Sequence, residues 1–296
     1  MGKVRFLFVE EVKKAVLNPI FPVYILAVFC LCLFVPIEPL WDTDRTNAFR
    51  LLFFMPKEEL LSESSLTFIY VMEGMQTGYF VMFVPMVVGL VLLPVLCAEK
   101  ESGQFRYVIV RCGKRKTILG KLYASLFCGG LAVAAGYLLA GLVMYVRLPH
   151  GRDALETDML LNGARWLPSS LQQMPCGMLT AILFGQMVTG VYFYGMVCAL
   201  WTYLLSAVVQ NRYLLVCIPY MVLWFAEKWL DAAVMSPFWG RKKIISWLYR
   251  YSAGYTMQIF RNLNDSIFLL LGYAVAALLA LWVQSAVMKG RRDCGA

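Results

Sequence analysis

The sequence predicts an all-α membrane protein of six transmembrane helices, with an N-terminal interfacial amphipathic helix and a further short amphipathic helix in a basic hinge. Three observations predict it: the apolar content, the length of the uncharged runs and the placement of charge. Of 296 residues 60% are hydrophobic and 15% charged, with mean hydropathy +0.67. Soluble domains hold about 45–50% apolar and about 25% charged residues, so lipid must be part of the solvent. The reading is of a single membrane domain over 1–296.

The elements follow in order. In 1–18, Val4, Phe8, Val12 and Ala15 share one helical face, while Lys3, Glu10, Lys13 and Lys14 share the other. This predicts a helix lying at the membrane interface and feeding the first span through Asn18-Pro19. Charges stand where a signal peptide needs its apolar core, so cleavage is not expected. Ala15 to Ile37 is the first uncharged run, 23 residues long, with its apolar part starting near Ile20. Gly74 to Ala98 and Leu122 to Val146 follow, 25 residues each. At 1.5 Å per residue both cross about 30 Å of hydrocarbon. Trp166 to Asn211 holds a fourth span from about Leu179 to Val209, and Ser266 to Met288 supplies the last. Tyr213 to Ala226, 14 residues ahead of Glu227 and Lys228, is as suited to a re-entrant segment as to a span.

Between the two 25-residue runs lies a hinge, 99–121, carrying seven Lys/Arg. Within it Phe105, Val108, Ile109 and Cys112 recur at i, i+3, i+4 and i+7, one apolar stripe on a helix of about three turns. Glu99 and Glu101 stand where carboxylates favour the positive end of a helix dipole, and Gly113 is a normal stop. Such a helix either rests on lipid or plugs a groove on a partner protein, and the spacing does not separate the two.

With the N-terminus cytoplasmic and all six runs crossing, the inner segments are strongly basic and the outer ones nearly balanced, as the positive-inside tendency requires. That arrangement absorbs the net charge of +9, so no nucleic-acid partner is implied. Arg241, Lys242, Lys243, Arg250 and Arg261 fall outside, and charge alone leans mildly towards five spans.

Catalytic and metal chemistry find no footing. His150 is the single histidine, too little for a zinc site or a Ser-His-Asp triad. Most of the nine cysteines fall in spans, where they act as small hydrophobes, and Cys176 has no external partner for a disulfide. Gly113-Lys114 is followed by Arg115, and Gly120-Lys121 by Leu122, so no phosphate-binding loop is present and the chain is not expected to be an enzyme. Gln186, Thr189 and Thr202 are the strongest polar groups in the spans, and Tyr192, Phe193 and Tyr194 add aromatic surface. Gln186, Thr189, Tyr192 and Tyr194 are therefore the candidates for lining a path, with interhelical packing the commoner use of such residues.

The run Glu99-Lys-Glu101-Ser-Gly103, a short helix, and then Gly113-Lys-Arg-Lys-Thr-Ile-Leu-Gly-Lys121 resembles the type-2 permease family of ATP-binding-cassette (ABC) exporters. Gln210-Asn-Arg-Tyr-Leu-Leu-Val-Cys-Ile-Pro219 resembles that family's tight turn before a proline-bearing fifth span, and the likeness covers nearly the whole chain. Gln104 departs from it, standing where Thr is commoner, and the outer loop from Glu38 to Glu73 is long. The resemblance implies that the hinge helix is a cytoplasmic coupling helix, with Glu99, Glu101, Gly103, Phe105, Val108, Ile109 and Cys112 engaging a separate ABC ATPase subunit. That ATPase, not this chain, would hold ATP and Mg. It implies a dimer with a second permease, identical or homologous, in the cell membrane with both termini cytoplasmic. It also implies six spans, with short re-entrant helices in the outer loop 231–265, where Ile244, Trp247, Leu248, Tyr251 and Tyr255 recur at near-helical spacing. Against this stand an ATP-independent secondary transporter and a non-transporting membrane scaffold or immunity factor.

Overall fold

The computed structural model describes residues 2–37, 46–56, 67–96, 104–148, 175–209, 211–235, 251–252, 256–257 and 263–293. Most of these are helical. Helices α1 (Gly2–Val16) and α2 (Phe21–Phe34) are followed by a two-residue antiparallel pairing of β1 (Pro36–Ile37) with β2 (Thr46–Asn47). Then come α3 (Ala48–Phe53), α4 (Phe68–Gly74), α5 (Tyr79–Leu96), α6 (Gln104–Cys112) and α7 (Lys114–Arg147). Last are α8 (Cys176–Leu205), α9 (Arg212–Met235) and α10 (Leu263–Asp293).

Four helices are long and apolar enough to cross a membrane on their own, over Lys114–Arg147, Gly177–Leu205, Arg212–Val234 and Leu269–Val287. Two bent pairs pass the same test, and counting each as one span raises the number to six. Their outward surfaces agree: Val222, Phe225, Leu271, Val275, Leu278 and Trp282 are all exposed, an apolar coat that water would not tolerate over so large an area.

The expected boundaries shift in three places. Gly74 does not open the second span. The chain breaks there, α4 and α5 meet at 62°, and Gly78 takes a φ of +53° that favours glycine. Helix α7 begins at Lys114 rather than Leu122, so its 34 residues reach about 51 Å and extend beyond the hydrocarbon. Helix α9 runs for 24 residues straight through Glu227 and Lys228. The 14-residue limit expected from composition fails because these two charges do not end the helix. At the N-terminus, α1 and α2 meet at 68°, with the Asn18 side chain accepting from the Ile20 backbone N–H at 3.1 Å.

Helix α7 is the central post. Over its most apolar stretch 56% of residues are buried, against 11% for α10 at the periphery. It crosses α8 at Gly129 and Gly195: a Cβ on Gly195 would lie 2.9 Å from the Gly129 carbonyl oxygen and 3.0 Å from the Gly130 Cα. Small residues at such a crossing let two backbones approach and gain dispersion contacts that lipid cannot supply. At one end of α7, Tyr137 is fully buried. Its hydroxyl donates to the Met72 carbonyl at 2.8 Å and accepts from Gln76 Nε2 at 3.1 Å, tying the α4–α5 break to the post. At the other end, Lys114 Nζ donates to the Ser285 carbonyl at 2.8 Å and Tyr203 donates to the Ile118 carbonyl at 3.0 Å. Gln284 Nε2 donates to the Tyr203 carbonyl at 2.9 Å. The N-terminus of α7 and the C-terminal turns of α8 and α10 therefore share the end that carries α6.

Helix α1 packs along this same end of α7. Leu7, Glu11 and Ala15 form its buried stripe, with Val4, Phe8 and Val12 half-buried beside them. The expected apolar face is thus centred on a carboxylate. Glu11 is 2% exposed and lies 3.8 Å from Lys121, itself buried, and 3.6 Å from the exposed Lys14.

Candidate functional site

Two places gather the residues that the sequence singles out. The first is α6. It is joined to α7 through Gly113 alone, whose φ of +87° and ψ of 142° lie where glycine is strongly favoured. The Gly113 N–H donates to the Ile109 carbonyl at 2.8 Å and closes the helix. Val108, Ile109 and Cys112, three members of the expected stripe, are half-buried. The opposite side carries Tyr107 at 73% and Val110 at 84% exposure, so α6 presents free apolar surface on the face the periodicity did not select. Phe105 belongs to the first turn of α6. Glu99, Glu101 and Gly103 lie outside the described residues, as does most of the outer loop 231–265, including Ile244, Trp247, Leu248 and Tyr255.

The second is a cavity of about 720 Å³ that runs from the α4–α5 break along α8 as far as Trp201, between α5, α8, α9, α10 and the short stretch holding Tyr251 and Thr256. Seven aromatic side chains contribute to its wall, and Glu227 lines it from α9. Helical spacing puts Glu227 there. Tyr220, Leu223, Trp224, Glu227 and Leu230 recur at i, i+3, i+4, i+7 and i+10 and form the inward stripe of α9. The floor is ordered by Thr256 Oγ1, 2.9 Å from the Tyr273 hydroxyl, and by the Tyr251 and Tyr273 rings with centroids 5.9 Å apart.

The four residues expected along a path separate. Tyr194 lines the cavity and donates its hydroxyl to the Val81 carbonyl at 3.0 Å. Tyr192 instead lines a different groove of about 620 Å³ formed with Phe8 of α1 and Phe127 of α7. Gln186 is half-buried, and the exposed Thr189 turns its hydroxyl back to the Gln186 carbonyl at 2.8 Å. Neither lines the 720 Å³ cavity. Sequence reasoning misses Glu227 as a site residue because its charge closes the uncharged run Tyr213 to Ala226. The signal that finds it is its register with Tyr220, Leu223 and Trp224. Among the described residues no cluster of three or more His, Cys, Asp or Glu has the makings of a metal site.

The length and apolarity of these helices are those expected of a multi-pass membrane protein. The chain matches no protein-family model, no curated protein and no solved structure.

Proposed function

We propose that this protein is the membrane-spanning permease subunit of an ABC exporter of the type-2 permease kind, moving a substrate outward with ATP hydrolysed by a separate subunit. The observation that carries the reading is α6: a nine-residue amphipathic helix between two membrane-length helices, attached through one glycine to the 34-residue post. The half-buried Val108, Ile109 and Cys112 seat α6 on the bundle, while Tyr107 and Val110 are free to enter a partner's groove, with Phe105 at its leading turn.

In this proposal two permease copies flank a central path in the cell membrane, both termini cytoplasmic. Each α6 docks on an ATPase that binds ATP and Mg. Closure of the ATPases moves both α6 helices, and α7 transmits that motion as a rigid rod. Docking through buried aromatic anchors costs about 2 kcal/mol or more when an anchor is lost. Phe105→Asp and Val110→Asp are expected to leave the bundle folded and to abolish co-purification of the ATPase subunit. Full retention of the ATPase by both variants would refute the docking assignment.

Glu227 in the cavity wall favours a second reading, an ATP-independent transporter, since such proteins use intramembrane carboxylates. Flux driven by an ion gradient in vesicles containing this chain alone would decide for it.

A further inference from the structure

We infer that the groove between α1, α7 and α8 is a binding site for one anionic phospholipid, its phosphate held by Arg5 and one acyl chain lying on the aromatic wall. The groove measures about 620 Å³ and is lined by Arg5 and Phe8 of α1, Tyr123 and Phe127 of α7, and Tyr192 and Met196 of α8. Its depth is graded. Tyr123 is exposed and stands in the first turn of the uncharged run that begins at Leu122, the headgroup level at which tyrosine is enriched. Phe127 lies one turn further into the run, and its ring meets Phe8 edge-on with centroids 5.8 Å apart. Tyr192 lies against Gly130, three residues deeper still, where a Cβ would stand 2.8 Å from its ring. A polar mouth at headgroup depth over an apolar cleft has the form of a single lipid.

Charge selects the headgroup. Arg5 is exposed, one helical turn from Phe8 on the same side of α1. Lys116, also exposed, precedes Tyr123 by seven residues, on the same face of α7 and about 10 Å nearer its end. Among the described residues neither cation has an ion-pair partner. The carboxylates of α1 are already engaged: Glu10 lies 3.5 Å from Lys13, and Glu11 lies 3.6 Å from Lys14 and 3.8 Å from Lys121. A phosphate therefore meets positive charge from two helices, with the fork of donors that arginine supplies. A zwitterionic lipid brings the same phosphate together with an ammonium that Arg5 and Lys116 repel. The tails offer no such choice, since moving from bilayer to groove exchanges one apolar surface for another. A second copy of the chain, packed symmetrically here, would set these cations against their own like charges.

The groove has no part in the exporter reading, so either can fail alone. Full-length protein is reconstituted in phosphatidylcholine vesicles with a trace of phosphatidylglycerol carrying a photoactivatable diazirine midway along one acyl chain. A parallel sample carries the same label on phosphatidylcholine. After irradiation, adducts are mapped by mass spectrometry. Expected are adducts at Phe127, Tyr192 or Met196, with a yield from the anionic probe at least about fivefold above that from the zwitterionic one, the factor due to one basic side chain at a membrane surface. Arg5→Gln is expected to remove most of that preference and to leave the phosphatidylcholine yield unchanged, with Arg5→Lys keeping part of it. Arg5 is exposed, so neither change should disturb the fold. Equal labelling of the groove by the two probes, or labelling by neither because a second copy covers it, would overturn the inference on the wild-type protein. An unchanged preference in a folded Arg5→Gln protein would overturn the assignment of the phosphate to Arg5.

Discussion

Lys121→Met is expected to lower the unfolding free energy by about 3 kcal/mol, among the largest single-residue losses available in this chain. Lys121 and Glu11 are both buried and lie 3.8 Å apart, joining α7 to α1. Removing the ammonium leaves a carboxylate in the packed seam between the helices. Desolvation then outweighs what Lys14, 3.6 Å away but half out in solvent, restores. The paired change Glu11→Gln with Lys121→Met removes both charges, and replacing a buried pair by neutral groups is often close to neutral. Thermal unfolding in detergent should therefore show a deep loss for the single variant and recovery of most of it in the double. If the single variant melts like the wild type, α1 is not held to the post by this pair. The consequence is functional as well as structural, because α1, α6 and the first turns of α7 form one end of the molecule.

Gly195→Leu is expected to be at least as damaging. The Cβ alone would stand 2.9 Å from the Gly129 carbonyl oxygen and 3.1 Å from Val133 Cγ2. Its neighbours at Gly129 and Gly130 are backbone and cannot rotate away. Overpacking typically costs about 1–3 kcal/mol and sometimes more, and here the α7–α8 crossing itself must open. Gly185 supplies the control on the same helix: among the described residues nothing lies within 4 Å of its Cβ position. Gly185→Leu should melt at or above the wild-type temperature, since Leu favours helix over Gly by up to about 1 kcal/mol. Equal melting temperatures for the two leucine variants would contradict the crossing.

Much of the helical framework was legible because lipid imposes simple rules. An uncharged run of about 20 residues must satisfy its own backbone, and a helix does that. The short helix before Gly113 was legible for a different reason: the i, i+3, i+4, i+7 stripe from Phe105 to Cys112 is long enough to define a period and ends at a glycine. What that stripe faces was not legible. Val108, Ile109 and Cys112 are half-buried and Tyr107 and Val110 are bare, a choice made by tertiary packing that periodicity does not encode.

Charged residues misled most. By composition Glu227 and Lys228 mark the end of a span, and Lys114 to Lys121 a hinge outside one. Each in fact sits within a continuous helix, because a charge ends a membrane run only when nothing across from it answers. Glu11 meets Lys121, and Lys114 meets the Ser285 carbonyl. Glu227 meets an aromatic cavity. Such partners lie far apart in sequence, so no local window reveals them. The separation of Tyr192 from Tyr194 has a simpler cause: two residues along a helix are about 200° apart around it.

The central claim is that α6 transmits force from a nucleotide-driven partner into the α7 post. The most direct measurement places a photo-cross-linking amino acid at Val110, irradiates intact membranes, and identifies the adducts by mass spectrometry. The account predicts a protein adduct on a polypeptide carrying a nucleotide-binding P-loop, with a yield that changes when ATP is supplied. Adducts confined to lipid, or labelling of residue 110 by a reagent restricted to the outside of the cell, would contradict it.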